Sequence, residues 1–456
     1  MQLVALAIIA LTVILIVRRY QTHATLLLSG FALLTTAHIG GLLTGTPAAV
    51  ESLTGLFAFD LFAKVSEAFS SRVARIGMII MAAGGFAKYM SAISASTALV
   101  NATVRPLSRI DDPYMLLGIT YVFGQFLNIF IPSAAGLAML LLVAMYPTLV
   151  RLGVRPAAAA AVIGTTACLD LGPASAASNV AAEVIGITPI EYFVRNQLEV
   201  TLVIVPIIAA LHYFWQRWCD GRENIDATVD AEILATADDS DAANPPAAYA
   251  LLPILPLVLL FVFSPLVVSS IQLDVVTAML ISLAAGMVCE GIRLRSAREA
   301  LGGIVHFFRG MGDIFSTVVT LIVAAEIFAA GVKATGLIES LVSLVEGSPA
   351  GSSLMTLALV MLLGLTALLT GSGNAALFSF ANMIPGIAGR IQAPVVSLML
   401  PSQLAGGMFR SMSPVAGVII AVAGAARVSP LQIVKRTSVP MIGGVLAMLA
   451  ANAVLN

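Results

Sequence analysis

"ITPIEYFVRN" at residues 187–196 and "VSPLQIVKRT" at residues 428–437 are two versions of one phrase. Each sets a hydroxyl residue before a proline and an arginine six positions beyond it, Pro189 with Arg195 and Pro430 with Arg436, at an offset of 241 residues. The same offset carries Pro173 onto Pro414. At an offset of 242, "AAGGFAKYMSAISASTALV" from Ala82 falls on "AAEIFAAGVKATGLIESLV" from Ala324, with Phe86 over Phe328 and Leu99-Val100 over Leu341-Val342. Any one match is within the reach of chance; together, at nearly one offset, they indicate an internal duplication.

What is duplicated is a membrane protein. Of 456 residues, 59% are hydrophobic and 10% charged, with a mean hydropathy of +1.01. A soluble domain has about 45–50% apolar and 25% charged residues, so a soluble globular chain is excluded. The 23 basic and 24 acidic residues nearly cancel, which leaves no footprint for nucleic acid and makes the lipid bilayer the expected partner. Cys168, Cys219 and Cys289 are scattered, with neither CxxC spacing nor a neighbouring histidine, so no disulfide framework, metal site or cofactor is expected.

At about 20 residues per crossing the chain holds on the order of ten to twelve spans. The apolar run 2–17 precedes Arg18 and Arg19, the reverse of a signal peptide, and is read as the first span. Further spans are expected near 24–45, 77–95, 114–131, 155–187, 189–215, 249–268, 273–291, 313–332, 353–371, 393–426 and 438–454. Residues 216–248 hold eight acidic and two basic residues and end in prolines, an acidic soluble linker between an N-terminal half, 1–215, and a C-terminal half, 249–456. Tyr213, Phe214, Trp215 and Trp218 before it suit a membrane interface.

Two spans are too long to be simple. Near 155–187 the sequence is interrupted by "DLGPASAASN", and near 393–426 by "FRSMSPVAG", which predicts a transmembrane helix broken inside the bilayer in each half. Ahead of each break lies a short small-residue stretch, "IPSAAGLAMLLLVAMYP" from Ile131 and "LTGSGNAALFSFANMIP" from Leu369. These predict re-entrant hairpins near 131–150 and 369–388, whose tips, Ser133 to Gly136 and Ser372-Gly373-Asn374, turn backbone N–H groups towards an anion. The plainer reading is that glycine and serine there only allow close helix packing. Paired halves with broken helices are a signature of secondary transporters, whose substrate sits where the breaks meet.

Arg410 lies in the second break, where no apolar helix can hide it; a buried arginine costs about 2.5–3.5 kcal/mol on insertion scales, so it should face a cavity or an anion. With two helix N-termini of about half a charge each, the site would carry about +2, suiting a dianion. Substrate contacts are expected from Ser133, Gly136, Ser372, Gly373, Asn374, Arg410, Ser411 and Ser413. Asp170, with Ser178 and Asn179 in the first break, is the candidate for a coupling sodium ion or proton. Lys88 and Glu326 in the matched spans read as a structural bridge, and His23, His38, His212 and His306 as interfacial residues.

Not an enzyme is the expectation. "GMGD" from Gly310 lacks a second aspartate in a neighbouring span, and "GSG" from Gly371 lacks a span-embedded histidine to act as base. A channel would be built from charged rings or repeated subunits rather than asymmetric broken helices.

"GGFAKYM", "LTGSGNAALFSFANMIP", "FRSMSPVAGVIIAVAGAARVSPLQIVKRTSVP" and "HYFWQR" with its acidic sequel resemble the DcuC-type anaerobic C4-dicarboxylate carriers of bacteria, from about residue 77 to the C-terminus. The resemblance implies a multi-pass inner-membrane carrier of succinate, fumarate and malate, by efflux, exchange or cation-coupled uptake. It also implies inverted repeats, elevator-like motion, a homodimer, and substrate and ions at the hairpin tips and at the break from Arg410 to Pro414. The chain departs from the pattern at Lys88 and Glu326, where small or neutral residues are expected, and at "GPASAASN", which lacks a Ser-Gly-Asp pattern. The readings kept beside it are a carrier of another organic anion, a cation/proton antiporter and a channel. Six crossings per half would make the repeats parallel, so inversion needs one interfacial segment to be miscounted, the candidates being the amphipathic stretches 53–76 and 296–310.

Overall fold

The computed structural model describes residues 2–18, 20–44, 54–104, 110, 112–222, 246–264, 267, 268, 270, 271, 273–337 and 351–455. Every regular element among them is helical. Six helices are long and apolar enough to cross a membrane: Thr22–Leu43, Pro189–Arg222, Val275–Leu294, Ala297–Ala334, Gly351–Thr370 and Pro430–Val454. A seventh candidate is the pair Met78–Ala92 and Ala95–Val104, bent by 74°. The chain is therefore a multi-pass membrane protein, and its polar ligands must be organised by helix ends rather than by loops in lipid.

The phrase shared by the two halves is a helix start. Thr188 accepts the Glu191 N–H while Glu191 reaches back to the Thr188 N–H at 3.2 Å, and Pro189 occupies the first turn. Ser429 and Gln432 repeat this reciprocal arrangement before Pro430, at 2.9 and 3.2 Å. Such boxes satisfy orphan N–H groups at the helix end. Beyond them the halves diverge. Phe193–Gln197 forms a π-helical turn that leaves Arg195 exposed, whereas Arg436 continues an α-helix and is 1% exposed, donating to Asp220 at 2.6 Å.

Other elements fall at the same spacing. Met78–Ala92 and Thr320–Ala334 each follow a five-residue π turn, Val73–Gly77 and Phe315–Val319. Left-handed residues also pair: Ser94 with Gly336 and Gly186 with Arg427.

Several sequence expectations change here. The stretch 53–76 is no separate interfacial segment, because Phe57–Arg72 runs through its π turn into Met78–Ala92. Likewise 296–310 joins the span expected at 313–332 in a 38-residue helix, Ala297–Ala334. At about 1.5 Å per residue that exceeds the roughly 30 Å hydrocarbon core, so charged turns such as the one holding Arg298 can extend beyond it. The span expected at 249–268 is divided, with Ala247–Leu251 a 3-10 turn and Leu255–Val262 a short helix, because Pro253 and Pro256 interrupt the hydrogen-bond ladder. Gln2–Val17 and Pro113–Asn128 are apolar helices of only 16 residues each. Most of the acidic linker, 223–245, lies outside the described residues.

Both long interrupted spans are broken. Pro156–Thr165 and Ala176–Ile185 flank a first break at 166–175, and Val395–Arg410 and Gly417–Ala425 flank a second at 411–416. The half-helix Pro156–Thr165 is wrapped on all sides, Ala158 to Ile163 having no exposed surface. Ser133 and Ser372 cap two short helices, Ala134–Ala144 and Gly373–Phe380. These pack crosswise: the first lies on Gly417–Ala425 beyond the second break, the second on Ala176–Ile185 beyond the first.

Candidate functional site

A helix broken inside a membrane frees backbone groups that lipid cannot satisfy. In the first break they are taken up by side chains from three other helices and from the flanking half-helix Ala176–Ile185. Gln125 Nε2 donates to the Thr165 carbonyl at 3.0 Å and Arg410 Nη2 to Ala167 at 2.6 Å. Gln403 Nε2 donates to Leu169 and Asp170 at 3.0 and 3.3 Å, and the Gly172 N–H donates to Gln197 Oε1 at 3.1 Å. The two glutamines are joined, Gln197 Nε2 to Gln403 Oε1 at 2.9 Å, and the Tyr192 hydroxyl donates to that oxygen at 3.1 Å.

Ser178 and Asn179 belong to this scaffolding. The Ser178 hydroxyl donates to the Asp170 carbonyl at 2.9 Å and accepts from Gln197, and Asn179 Nδ2 donates to Pro173 and Ser175 at 2.8 and 2.7 Å. Asn179 Oδ1, like Gln125 Oε1, is a buried acceptor with no partner.

Asp170 has φ +48° and is 9% exposed. Its Oδ2 lies 3.5 Å from Arg410 Nη1. Arg410 therefore does not stand as a bare charge: Asp170 offsets it, and the charge of about +2 expected from sequence is reduced by about one. Its Nε is buried without a partner and Nη2 gives only one of its two N–H groups to Ala167, so the Nε edge of the guanidinium fork remains available to a carboxylate.

In the second break Ser411 and Ser413 are fully buried. The Ser411 hydroxyl donates to the Gly407 carbonyl at 2.9 Å, and Ser413 Oγ accepts weakly from the Val415 N–H at 3.4 Å. Ser372 Oγ accepts from the Ala375 N–H at 3.1 Å, leaving the Gly373 and Asn374 N–H groups at an open helix N-terminus. That terminus sits directly on the helix carrying Arg410, since a Cβ on Gly373 would lie 2.7 Å from the Gly406 carbonyl carbon. Gly371, at φ +73°, comes equally close to Ala416. Asn374 is half-buried. On the other side Ser133, exposed, accepts from the Gly136 N–H at 3.1 Å, and the turn before it puts Ile129 against Gly172 of the first break. Thus Gly373, Arg410, Ser411, Ser413, Asp170, Ser178 and Asn179 share one region, with Ser133 and Gly136 at the outer end of the first short helix.

Other readings are corrected. Lys88 pairs with Asp313, and Glu326 with Arg72 at 2.7 and 3.0 Å, so Lys88 and Glu326 do not bridge each other. Arg72 also reaches Glu183 at 3.1 Å. His212 is not interfacial but fully buried, with Nε2 3.0 Å from Thr165 Oγ1. Gln125, Gln197 and Gln403 are site residues that the sequence reading does not single out; Gln125 and Gln403 stand as lone amides in largely apolar stretches, whereas Gln197, between Asn196 and Glu199, carries no such signal. Among the described residues no group of His, Cys, Asp and Glu could hold a metal ion.

Interrupted helices, capped short helices and a largely buried arginine at their meeting point, its side chain 13% exposed, define a polytopic membrane protein with an internal polar site. The model of the family "C4-dicarboxylate anaerobic carrier" matches residues 1–455, and the chain belongs to this DcuC family, which is one of transporters and not of enzymes. It is 33% identical over 444 residues to the anaerobic C4-dicarboxylate transporter DcuC of Escherichia coli strain CFT073, covering 96% of this chain and 93% of that one. It is 34% identical to the protein described as the probable DcuC of Vibrio cholerae, covering 96% and 94%. The solved structure of Neisseria gonorrhoeae MtrF, an antimetabolite efflux pump, matches with a TM-score of 0.59 at 12% identity over 94% of each chain. That likeness is one of fold.

Proposed function

We propose that this chain is a secondary active transporter of C4-dicarboxylates such as succinate, fumarate and malate, in a bacterial inner membrane, working by efflux, exchange or cation-coupled uptake. The observation that carries the reading is the junction of Arg410 with the N-terminus of Gly373–Phe380. A guanidinium with an unpartnered Nε stands in the same region as two uncapped amides, two serine hydroxyls and the carboxylate of Asp170. A diacid offers one carboxylate to the planar fork and the other to a helix N-terminus. Family membership at full length supports the substrate class.

The two halves are inverted repeats in this reading, each with a re-entrant hairpin, and the transport domain moves as an elevator past the rest. The recurrence of a capping box, a π turn and left-handed residues at offsets of 241 and 242 residues supports a repeat. Sodium or protons supply the coupling, and a homodimer is the assembly the family suggests.

Counterflow into succinate-loaded proteoliposomes tests the substrate. Saturable exchange confined to four-carbon diacids is expected. Exchange with lactate or citrate instead would replace the substrate class by another organic anion, ion-for-ion exchange would indicate an antiporter, and conductance without saturation would indicate a channel.

A further inference from the structure

Asp170 and Arg410 cannot both keep their present relation and serve a substrate. Nη1 and Oδ2 are 3.5 Å apart, longer than the roughly 2.7–2.9 Å of a closed charge-assisted hydrogen bond. Nη2 is committed to the Ala167 carbonyl, and Nε is buried without a partner. A carboxylate that engages this guanidinium becomes a second anion beside Asp170, and like charges at such range disfavour each other's ionised form.

The surroundings offer no other cation to share. In its own break Asp170 is two residues from the Cys168 thiol, which is taken up by the Tyr121 hydroxyl and Gln125 Nε2 at 3.3 and 3.1 Å. From the helix Val395–Arg410 it faces Gln403 and Gly407 besides Arg410, and from Ala176–Ile185 the neutral Ser178. Gln197 holds the break from the far side. Glu183, further along Ala176–Ile185, is bonded to Arg72. Among the described residues, Arg410 is the cation paired with Asp170.

We infer that Asp170 takes up a proton when a substrate carboxylate engages Arg410, so that carboxylate and proton occupy one conformation together. The inference rests on Arg410 being the substrate's anchor, as proposed above. In this step one O–H bond forms on Asp170 with a proton drawn from water on the open side. The engaged carboxylate stays ionised and replaces Asp170 as the counter-charge of Arg410, so the charge beside the guanidinium is unchanged; the diacid's second carboxylate adds one negative charge, which faces the N-terminus of Gly373–Phe380. The charge removed from Asp170 is the one that would otherwise oppose binding.

The test uses purified full-length protein. Infrared difference spectra on adding carboxyl-labelled succinate are expected to show a new protonated-carboxyl stretch in the wild type that Asp170→Asn lacks. Above the pH at which succinate is fully ionised, the wild-type Kd should rise about tenfold per pH unit once Asp170 is ionised in the free protein, and the Asp170→Asn profile should be flat. A wild type whose binding does not depend on pH, or a variant that keeps the wild-type dependence, overturns the inference. Should Asp170→Asn fail to fold, the wild-type spectrum decides alone, and a missing band at saturating succinate overturns it. Succinate exchange without the band defeats only this inference; absence of both binding and exchange defeats the dicarboxylate reading with it.

Discussion

A Cβ on Gly407 would stand 2.2 Å from the carbonyl oxygen of Cys168. The obstacle is backbone, so no rotamer change relieves it, and the helix that carries Arg410 can rest on the first break only where a side chain is missing. Gly407 lies one residue short of a full turn before Arg410. The same close approach that excludes a Cβ therefore brings the guanidinium to Asp170 and Ala167.

Gly407→Ala is accordingly expected to abolish most transport and to destabilise the protein by about 1–3 kcal/mol, the usual cost of overpacking. Gly417→Ala is the matched control, because a Cβ there meets nothing within 4 Å, and it should stay within about 0.5 kcal/mol of the parent. Thermal midpoints in detergent beside counterflow rates check both. Equal midpoints for the two variants would mean the helix can back away from Cys168 at no cost.

Arg410→Lys should be nearly as damaging to succinate exchange as Arg410→Ala. A lysine keeps the charge but offers a point donor in place of the planar fork, and it cannot hold the Ala167 carbonyl and a carboxylate in the geometry seen for Nη2 and Nε. Counterflow rates at equal protein in the membrane measure it, and near-parental exchange by the lysine variant would count against bidentate recognition.

Two ion pairs that look alike in sequence should differ in strength. Arg72 and Glu326 share two hydrogen bonds, and their side chains are 19% and 27% exposed. Lys88 and Asp313 are 41% and 63% exposed. Double-mutant cycles on unfolding are expected to give about 1.5–3 kcal/mol for the first, in the range of charged hydrogen bonds, and about 0.2–1 kcal/mol for the second, as for surface pairs. Coupling energies in the reverse order would show that exposure does not govern them here.

The breaks were legible because their causes are local: glycine, proline and serine announce where the helical ladder stops. The helix starts were less so, since the boxes of Thr188 with Glu191 and Ser429 with Gln432 appear only in the structure and Pro430–Leu455 begins eight residues before the span expected at 438–454. The amphipathic stretch 53–76 suggests an interfacial segment, but Phe57–Arg72, which carries Asp60, Lys64, Glu67 and Arg72, continues through its π turn into Met78–Ala92. The site was legible as a neighbourhood but not as a network. Nothing in the run around Gln403 says that its amide satisfies Leu169, 234 residues away. Nor does any local pattern say that Arg410 meets Asp170, or that Arg72 rather than Lys88 partners Glu326. Such pairings are set by which helices pack together, and sequence spacing carries little of that information.

Gln403 offers the sharpest check on the hydrogen-bond accounting of the break. It is 2% exposed and serves the carbonyls of Leu169 and Asp170, Gln197 and the Tyr192 hydroxyl at once. Gln403→Leu keeps the volume roughly constant but leaves several buried polar groups unpaired, at about 1–3 kcal/mol for each group that water cannot reach. A total loss of about 3 kcal/mol is expected, since Ser178 still satisfies the Asp170 carbonyl and Gln197 keeps its bonds to Ser178 and to the Gly172 N–H. The loosening should also be local. Cys168 has no exposed surface, so with Cys219 and Cys289 replaced by serine, Gln403→Leu should raise the rate of maleimide labelling at Cys168 well before global unfolding. Labelling as slow as in the parent, with an unchanged thermal midpoint, would mean that the break is held by packing alone and that its glutamines are passengers.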